Sequence, residues 1–468
     1  MKPSESIASA SSSNLSDDST LRDETSTIST TLTTASVNSD NSVDHDLDKL
    51  ISERHSKITT TCHKDSEHDP EHHSKFTTWL GLLKKFIGVK DIVATRISLP
   101  AQLIEPIGNL EYWNYNDRPD YFVCIGDSDD PLERMLAAIR WWYSKDLKYV
   151  KGKLVKPYNS ILGEQFFCYW DVTPPSLDDN GNLAASPGVA TSDSQSKHRV
   201  TCINEQISHH PPISAFYYHC EEKGITACGV DHISARFTGT SVKIGPGDRN
   251  KGIYVRLEER DNEEYLMTHP VAAIQGWLKG SLYIVVGEAC IITCPKTKLK
   301  AILEYKEERW LGKPRFAIEG KIFKYDPEND DVKKLKCVDE EAVLCEVHGS
   351  WKGEVHAKIR QTNETRLILN MEAIDPIPKT VKPIAEQGPL ESRNVWQKVT
   401  AAILSKDYSQ ATKEKQVIEE RQRQKAAAAK AKKEEFEPSF FKLPVIDGQP
   451  ELKDEGIRVL KQLIGTTN

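Results

Sequence analysis

The chain has 468 residues, ten of them cysteine, and a formal net charge of -7. That balance excludes a global basic field for nucleic acid or for an anionic membrane, so anion binding must rest on local patches. The cysteines are scattered from Cys62 to Cys345 with no CxxC pair, which reads as reduced thiols in an intracellular protein, with neither a disulfide framework nor a metal site.

The opening MKPSESIASASSSNLSDDST has no apolar core of a secretory signal. No apolar run reaches the roughly 18 residues needed to span a bilayer, so membrane contact is expected to be peripheral. Residues 1–75 are rich in Ser, Thr and Asp and poor in aromatics. Such a composition predicts a disordered tail, because too little apolar surface is available to offset chain entropy. The histidines at its end, His63, His68, His72 and His73, have no scaffold to converge them on a metal.

Residues 76–99 follow as a separate segment. Trp79, Leu82, Leu83, Phe86 and Ile87 recur at helical spacing, with Lys84 and Lys85 alongside. The pattern fits a helix packed on a core or a mobile cover that touches membranes. A domain is expected over 100–468. Its first clear helix is DDPLERMLAAIRWWYSKDL, capped by Asp129 or Asp130, with Pro131 in the first turn and a stripe of Leu132, Met135, Leu136 and Ile139.

From about 150 to 375 the period becomes two. VTCINEQI, PISAFYYHC, GVDHISARFTG, GIYVRLEER, EEYLMTHPV, SLYIVVGEACIITC, KAILEYKEE, RFAIEGKIFKY, HGSWKGEVHAKIR and RLILNME read as strands. No helical crossover separates them, so the expectation is an antiparallel meander that closes into a barrel or splits into two sheets. Residues 173–198 read as a polar insertion. A helical period returns over about 390–468, first in SRNVWQKVTAAILSKDY and then in a charged, Ala-rich helix.

Three strings carry chemistry. In EQISHHPPISAF the prolines Pro211 and Pro212 break the strand after His209 and His210, so both imidazoles can serve one site. Alone, the pair equally fits two structural histidines. In KLVKPYNSILGEQF, Lys156 offers a point charge and Asn159 a directional donor. Lys415, Glu419 and Arg423 stand at four-residue spacing on one helical face. Together they suggest a phosphate site, with Glu419 orienting the cations. An enzyme acting on a phosphoester is the rival reading, but these strings hold no recognisable nucleophile, metal set or carboxylate pair.

EQISHHPP, KPYNSILGE, PLESRNVW and KEKQVIEERQR occur in the order found in the oxysterol-binding-protein-related family, which the chain resembles from Trp79 past Arg423. The resemblance implies a mainly β fold with flanking helices, a near-complete antiparallel barrel around a lipid tunnel, with the segment at 76–92 as its N-terminal lid. It implies binding of phosphatidylinositol 4-phosphate through Lys156, Asn159, His209, His210, Lys415 and Arg423, supported by Glu419. It implies no cofactor, no catalysis and no nucleic-acid partner. LPAQLIEPIGNLEYWNY and KPYNS are similar to the phosphatidylserine-carrying branch, with Leu103, Ile104, Lys156 and Asn159 at that headgroup, which implies exchange of the two lipids between membranes; a sterol is the alternative second ligand, and a lipid sensor without net transfer the alternative role. The expected location is the cytoplasm, peripheral at membranes, with endoplasmic reticulum–plasma membrane contact sites as one such place.

Overall fold

Alternating side chains make the middle of the chain a set of strands, and in the computed structural model fourteen of them join one antiparallel sheet. The structure describes residues 46–53, 104–152, 155–175, 197–238, 241–275, 283–306 and 316–465. All of these fall in a unit running from Val43 to Asn468. The segment at 76–92, Leu103 and most of the insertion at 173–198 lie outside the described residues.

The strands are β1 (Gln165–Val172), β2 (His198–His209), β3 (Pro212–Cys220), β4 (Ile225–Phe237), β5 (Val242–Pro246), β6 (Ile253–Leu257), β7 (Glu263–Met267), β8 (Val271–Gln275), β9 (Tyr283–Cys294), β10 (Leu299–Tyr305), β11 (Ala317–Lys324), β12 (Val343–Ser350), β13 (Glu354–Ile359) and β14 (Thr365–Asn370). Neighbours in sequence are mostly neighbours in the sheet. Between β4 and β9 the sheet forks: β5 and β8 bridge one end, β6 and β7 the other. One apolar core holds Phe166 and Cys168 of β1 together with Ile368 and Leu369 of β14. The two ends of the strand order therefore curl toward a shared interior. No β1–β14 pair is present among the described strands. Instead the returning chain covers the edge of β1: Tyr169 and Thr380 exchange backbone hydrogen bonds, and the Gln165 N–H donates to the Leu390 carbonyl at 2.8 Å. Pairing the edge removes a template for aggregation.

Helix α1 (Pro131–Ser144) runs through that interior. Asp130 caps it, accepting from the Leu132 N–H at 2.8 Å. Burial extends well beyond the predicted stripe, from Arg134 to Ser144 on all sides. The reason is the enclosing sheet, which leaves the helix no solvent face. Its buried guanidiniums are accordingly hydrogen-bonded: Arg134 pairs with Glu263 of β7 at 2.7 Å, and Arg140 donates to the Ile368 carbonyl at 2.9 Å.

Two elements depart from the sequence reading. β1 shows no alternation in the sequence because Phe167 and Tyr169 point outward, opposite Phe166 and Trp170, and bulky aromatics on both faces hide the period. Phe167 is needed outside, where it meets Phe440 edge-on. Within the Ser/Thr-rich stretch, residues 46–53 form a short helix whose Leu47 and Ile51 bury against Ile384, and Asp48 accepts from the Ile384 N–H at 3.0 Å. Two apolar residues at i and i+4 suffice to give that turn of chain a docking face.

Three helices follow the strands: α2 (Ser392–Leu404), α3 (Tyr408–Lys432) and α4 (Asp454–Ile464). α4 and the strip Phe440–Phe441 cover the outer face of β2 through Ile203 and Ile207. Glu205 fastens that strip, accepting from the Ser439 and Phe440 N–H groups at 2.7 and 2.9 Å.

Candidate functional site

The site is organised by a turn. After Lys156 the chain passes Tyr158 and Asn159 and reaches Gly163, whose φ of +79° suits glycine and brings its backbone close to Phe436. Gly163 donates to the Gln206 carbonyl at 2.9 Å, and Gln206 donates back to Glu164 at 2.8 Å. The turn is thereby tied to the end of β2, three residues before His209.

Glu164 bolts the same turn to α2. Its carboxylate accepts from the Ile161 N–H at 2.9 Å, the Ser392 hydroxyl at 2.7 Å and the Trp396 indole at 3.1 Å. Burial holds its pKa above the usual carboxylate range, and these donors offset only part of that rise. Tyr158 stacks on Trp396 and its hydroxyl meets Thr400 at 2.8 Å. Glu164 lies within KLVKPYNSILGEQF and Trp396 within PLESRNVW, but no spacing in the sequence marks either as part of the site.

Lys156 donates to the Asn159 side-chain oxygen at 2.7 Å and to the Pro157 carbonyl at 3.0 Å. It keeps part of its surface open while being hemmed in by protein. That desolvation, with the positive charge of Lys415 second, pushes its ammonium down to about 8. Tyr158, Trp396 and Ala411 share one buried cluster, which brings the Lys156 turn alongside α3. Ile104 is in the same place: it packs with Tyr158 and Trp396, and the next residue, Glu105, donates its N–H to the Lys156 carbonyl at 3.0 Å.

On α3 the four-residue spacing does what helix geometry dictates. Glu419 accepts from Lys415 at 2.6 Å and lies 3.5 Å from Arg423, which also meets Glu420 at 2.7 Å. Lys415 is buried and Arg423 is exposed. The row thus leads from the interior to solvent.

His209 and His210 close the β2–β3 hairpin. His209 pairs with Pro212, the His210–Pro211 bond is cis, and the two rings stand 4.5 Å apart at 56°. The Lys156 turn is tied to the end of β2 that leads into the histidine hairpin, and α2 joins that turn to α3. Donors that converge on one point suit a dianion better than a monoanion.

A second polar group, unforeseen from sequence, lies inside the barrel. Tyr115 donates its hydroxyl to Asp231, and its ring packs against Phe216 and His269. Burial pushes the Asp231 carboxyl up to about 7. Burial, with Lys145 second, pushes the His269 imidazole down to about 3. The Nε2 of His269 is buried with no hydrogen-bond partner among the described residues. Nearby, the apolar strand segment Tyr283–Val286 is partly open on both faces. As for metals, His198, Cys220 and Glu222 offer donors within 4.8 Å of one another, at the opposite end of β2 from the histidine hairpin. Burial, helped by Glu222, holds the Cys220 thiol at about 12, so an ion there would have to displace a tightly held proton.

The family model described as Oxysterol-binding protein matches residues 78–403. Oxysterol-binding protein-like protein 1 of Schizosaccharomyces pombe is 42% identical across 83% of this chain and 91% of its own length. Human oxysterol-binding protein-related protein 9 is 32% identical across 74% of this chain, and the match spans 44% of that longer protein. Among solved structures, the Osh1 ORD domain in complex with ergosterol is similar with a TM-score of 0.61 at 17% identity, covering 90% of this chain and 97% of that one. The Osh3 ORD in complex with PI(4)P from Saccharomyces cerevisiae is similar at 0.56 and 17%, covering 83% and 94%. At that identity the likeness is one of fold.

Proposed function

This chain belongs to the oxysterol-binding protein family, and on that footing we propose that it carries lipids between membranes, exchanging phosphatidylserine for phosphatidylinositol 4-phosphate. The observation that carries the reading is the packing of the Lys156 turn beside α3, through the buried cluster of Tyr158, Trp396 and Ala411, with the Lys415–Glu419–Arg423 row on that helix. Lys156, Asn159, His209, His210, Lys415 and Arg423 hold the lipid phosphate, and Glu419 keeps the two α3 cations aimed. A phosphomonoester of charge near -2 relieves the repulsion between Lys156 and Lys415, so ligand and site stabilise each other. Ile104, with Leu103 beside it, faces the serine headgroup, while Lys156 and Asn159 serve both lipids. One site then holds one lipid at a time, and a phosphoinositide gradient drives the other lipid the opposite way. No covalent step is involved. The amphipathic segment at 76–92 acts as the cover, and the protein works in the cytoplasm, peripherally at membranes.

The interior polar group favours a second reading, in which the other lipid is a sterol. Tyr115, Asp231 and the open Nε2 of His269 would offer a hydroxyl partners at the end of an apolar space. The binding of ergosterol by a solved relative supports it. Mass spectrometry of lipids that copurify with the full chain separates the readings. Phosphatidylserine together with phosphatidylinositol 4-phosphate is the expected result. Sterol without phosphatidylserine would select the second reading, and hydrolysis of phosphatidylinositol 4-phosphate by the purified protein would sink both.

A further inference from the structure

α3 is longer than the site needs. Its first half packs on α2 through Ala411, and Lys415 and Glu419 serve the rim. From Arg421 to the C-cap residue Lys433 there are six cations, Arg421, Arg423, Lys425, Lys430, Lys432 and Lys433, and no acidic residue. All six are exposed, as are Ala426, Ala427 and Ala428 between them. Arg423 and Lys432 have acidic neighbours, Glu419, Glu420 and Glu434. Arg421, Lys425 and Lys430 have none at ion-pair distance among the described residues.

A bland account would assign these charges to the helix dipole, which favours cations at a C-terminus. That effect dies out within the last turn, so it covers Lys430, Lys432 and Lys433 and leaves Arg421, Arg423 and Lys425 unexplained. They run along the axis in two rows on opposite sides of the helix. Lys430 stands two turns beyond Arg423, continuing the Lys415–Glu419–Arg423 row by about 10 Å along the axis. Arg421, Lys425 and Lys432 form a second row on the other side of the helix.

We propose that the Arg421–Lys433 half of α3 is an electrostatic arm that docks on an anionic bilayer and sets the headgroup site against the membrane surface. The charge is complementary to acidic phospholipid, and the arm is continuous with a site read as holding a lipid phosphate; the inference rests on that reading. Alanine is the only apolar residue in the stretch, so the arm lies on the headgroups and does not insert. The absence of aromatics between Arg421 and Lys433 removes the stacking platforms that single-stranded nucleic acid uses, and the net charge of -7 opposes a polyanion enveloping the whole protein.

The test uses the full chain and vesicles of phosphatidylcholine alone or mixed with phosphatidylglycerol, an anionic lipid outside the proposed cargo. The variant is Lys425→Gln/Lys430→Gln/Lys432→Gln, which keeps helix propensity and touches none of the site residues. The parent should sediment with the anionic vesicles only, and less so as salt shortens the screening length from about 8 Å toward 3 Å. The variant should bind about tenfold or more weakly, because each cation near an anionic surface contributes on the order of a fivefold gain. Its affinity for phosphatidylinositol 4-phosphate in detergent micelles should match the parent's. Equal vesicle binding by parent and variant, equal binding to neutral and anionic vesicles, or retention of a random RNA in place of vesicles would each overturn the arm. A parent that binds anionic vesicles through these lysines but ignores the micellar phosphoinositide would leave the arm standing and remove the phosphate site.

Discussion

Tyr158 lies flat on Trp396, with ring centroids 4.6 Å apart and planes 14° from parallel. The stack fixes where Lys156 stands relative to α2 and, through α2, relative to α3. Trp396→Ala should cost roughly 3–5 kcal/mol of stability, the usual range for emptying a buried aromatic site. It should also weaken phosphatidylinositol 4-phosphate binding, because the turn loses its anchor. Urea unfolding and a binding titration on the same sample check both. Full stability loss with unchanged affinity would mean that the stack supports the fold and not the site.

Glu164→Gln puts an amide N–H where the carboxylate now accepts from Ile161, Ser392 and Trp396. At least one buried donor then faces a donor. The expected penalty is about 1–3 kcal/mol, seen as a lower urea midpoint with an unchanged slope. A variant as stable as the parent would show that a protonated Glu164 already fills the same role.

His209→Ala with His210→Ala should impair phosphoinositide binding more than binding of the second lipid. Each charge-assisted hydrogen bond lost costs on the order of 1.5–3 kcal/mol, or about one to two decades in affinity. Equal losses for both lipids would instead point to collapse of the β2–β3 hairpin, which these residues close.

The lowered pKa of Lys156 makes phosphate binding pH-dependent with a definite sign. In the free protein the ammonium titrates near 8, and a bound dianion favours the protonated form. Affinity should therefore be nearly flat around pH 7 and fall as pH rises through 8 toward the higher pKa of the complex. Lys156→Gln should bind more weakly and lose that slope. A parent whose affinity is level from pH 7 to 9 would exclude Lys156 from the phosphate.

Asp231 predicts a stability profile. Its pKa rises from an ordinary 3.8 to about 7 on folding, so the native state holds the proton more tightly than the unfolded chain. The stabilisation this gives is complete below about pH 4 and is lost as pH rises to about 7. Asp231→Asn keeps an acceptor for Tyr115 and removes the loss. Its melting temperature should exceed the parent's by a few degrees at pH 8, with the gap closing toward pH 4. A gap independent of pH would mean that Asp231 is not the titrating group.

The sequence by itself determined the elements whose signals are local. Asp130 and Pro131 announce α1 because capping and the proline ring act within one turn. Lys415, Glu419 and Arg423 share a face because the helical repeat puts them there. Pro211 and Pro212 end β2 beside His209 and His210 because proline cannot donate to a ladder. The tertiary structure alone decided what these pieces meet. That the Lys156 turn comes to lie beside α3 depends on Glu164 and Trp396 joining the turn to α2, and those contacts have no period to read. The burial of α1 on every side, and the polar group of Tyr115, Asp231 and His269, follow from the curl of the sheet around them. Local periodicity is a property of backbone geometry, whereas convergence of distant side chains is a property of how strands pair, and pairing is settled only when the whole sheet finds its register.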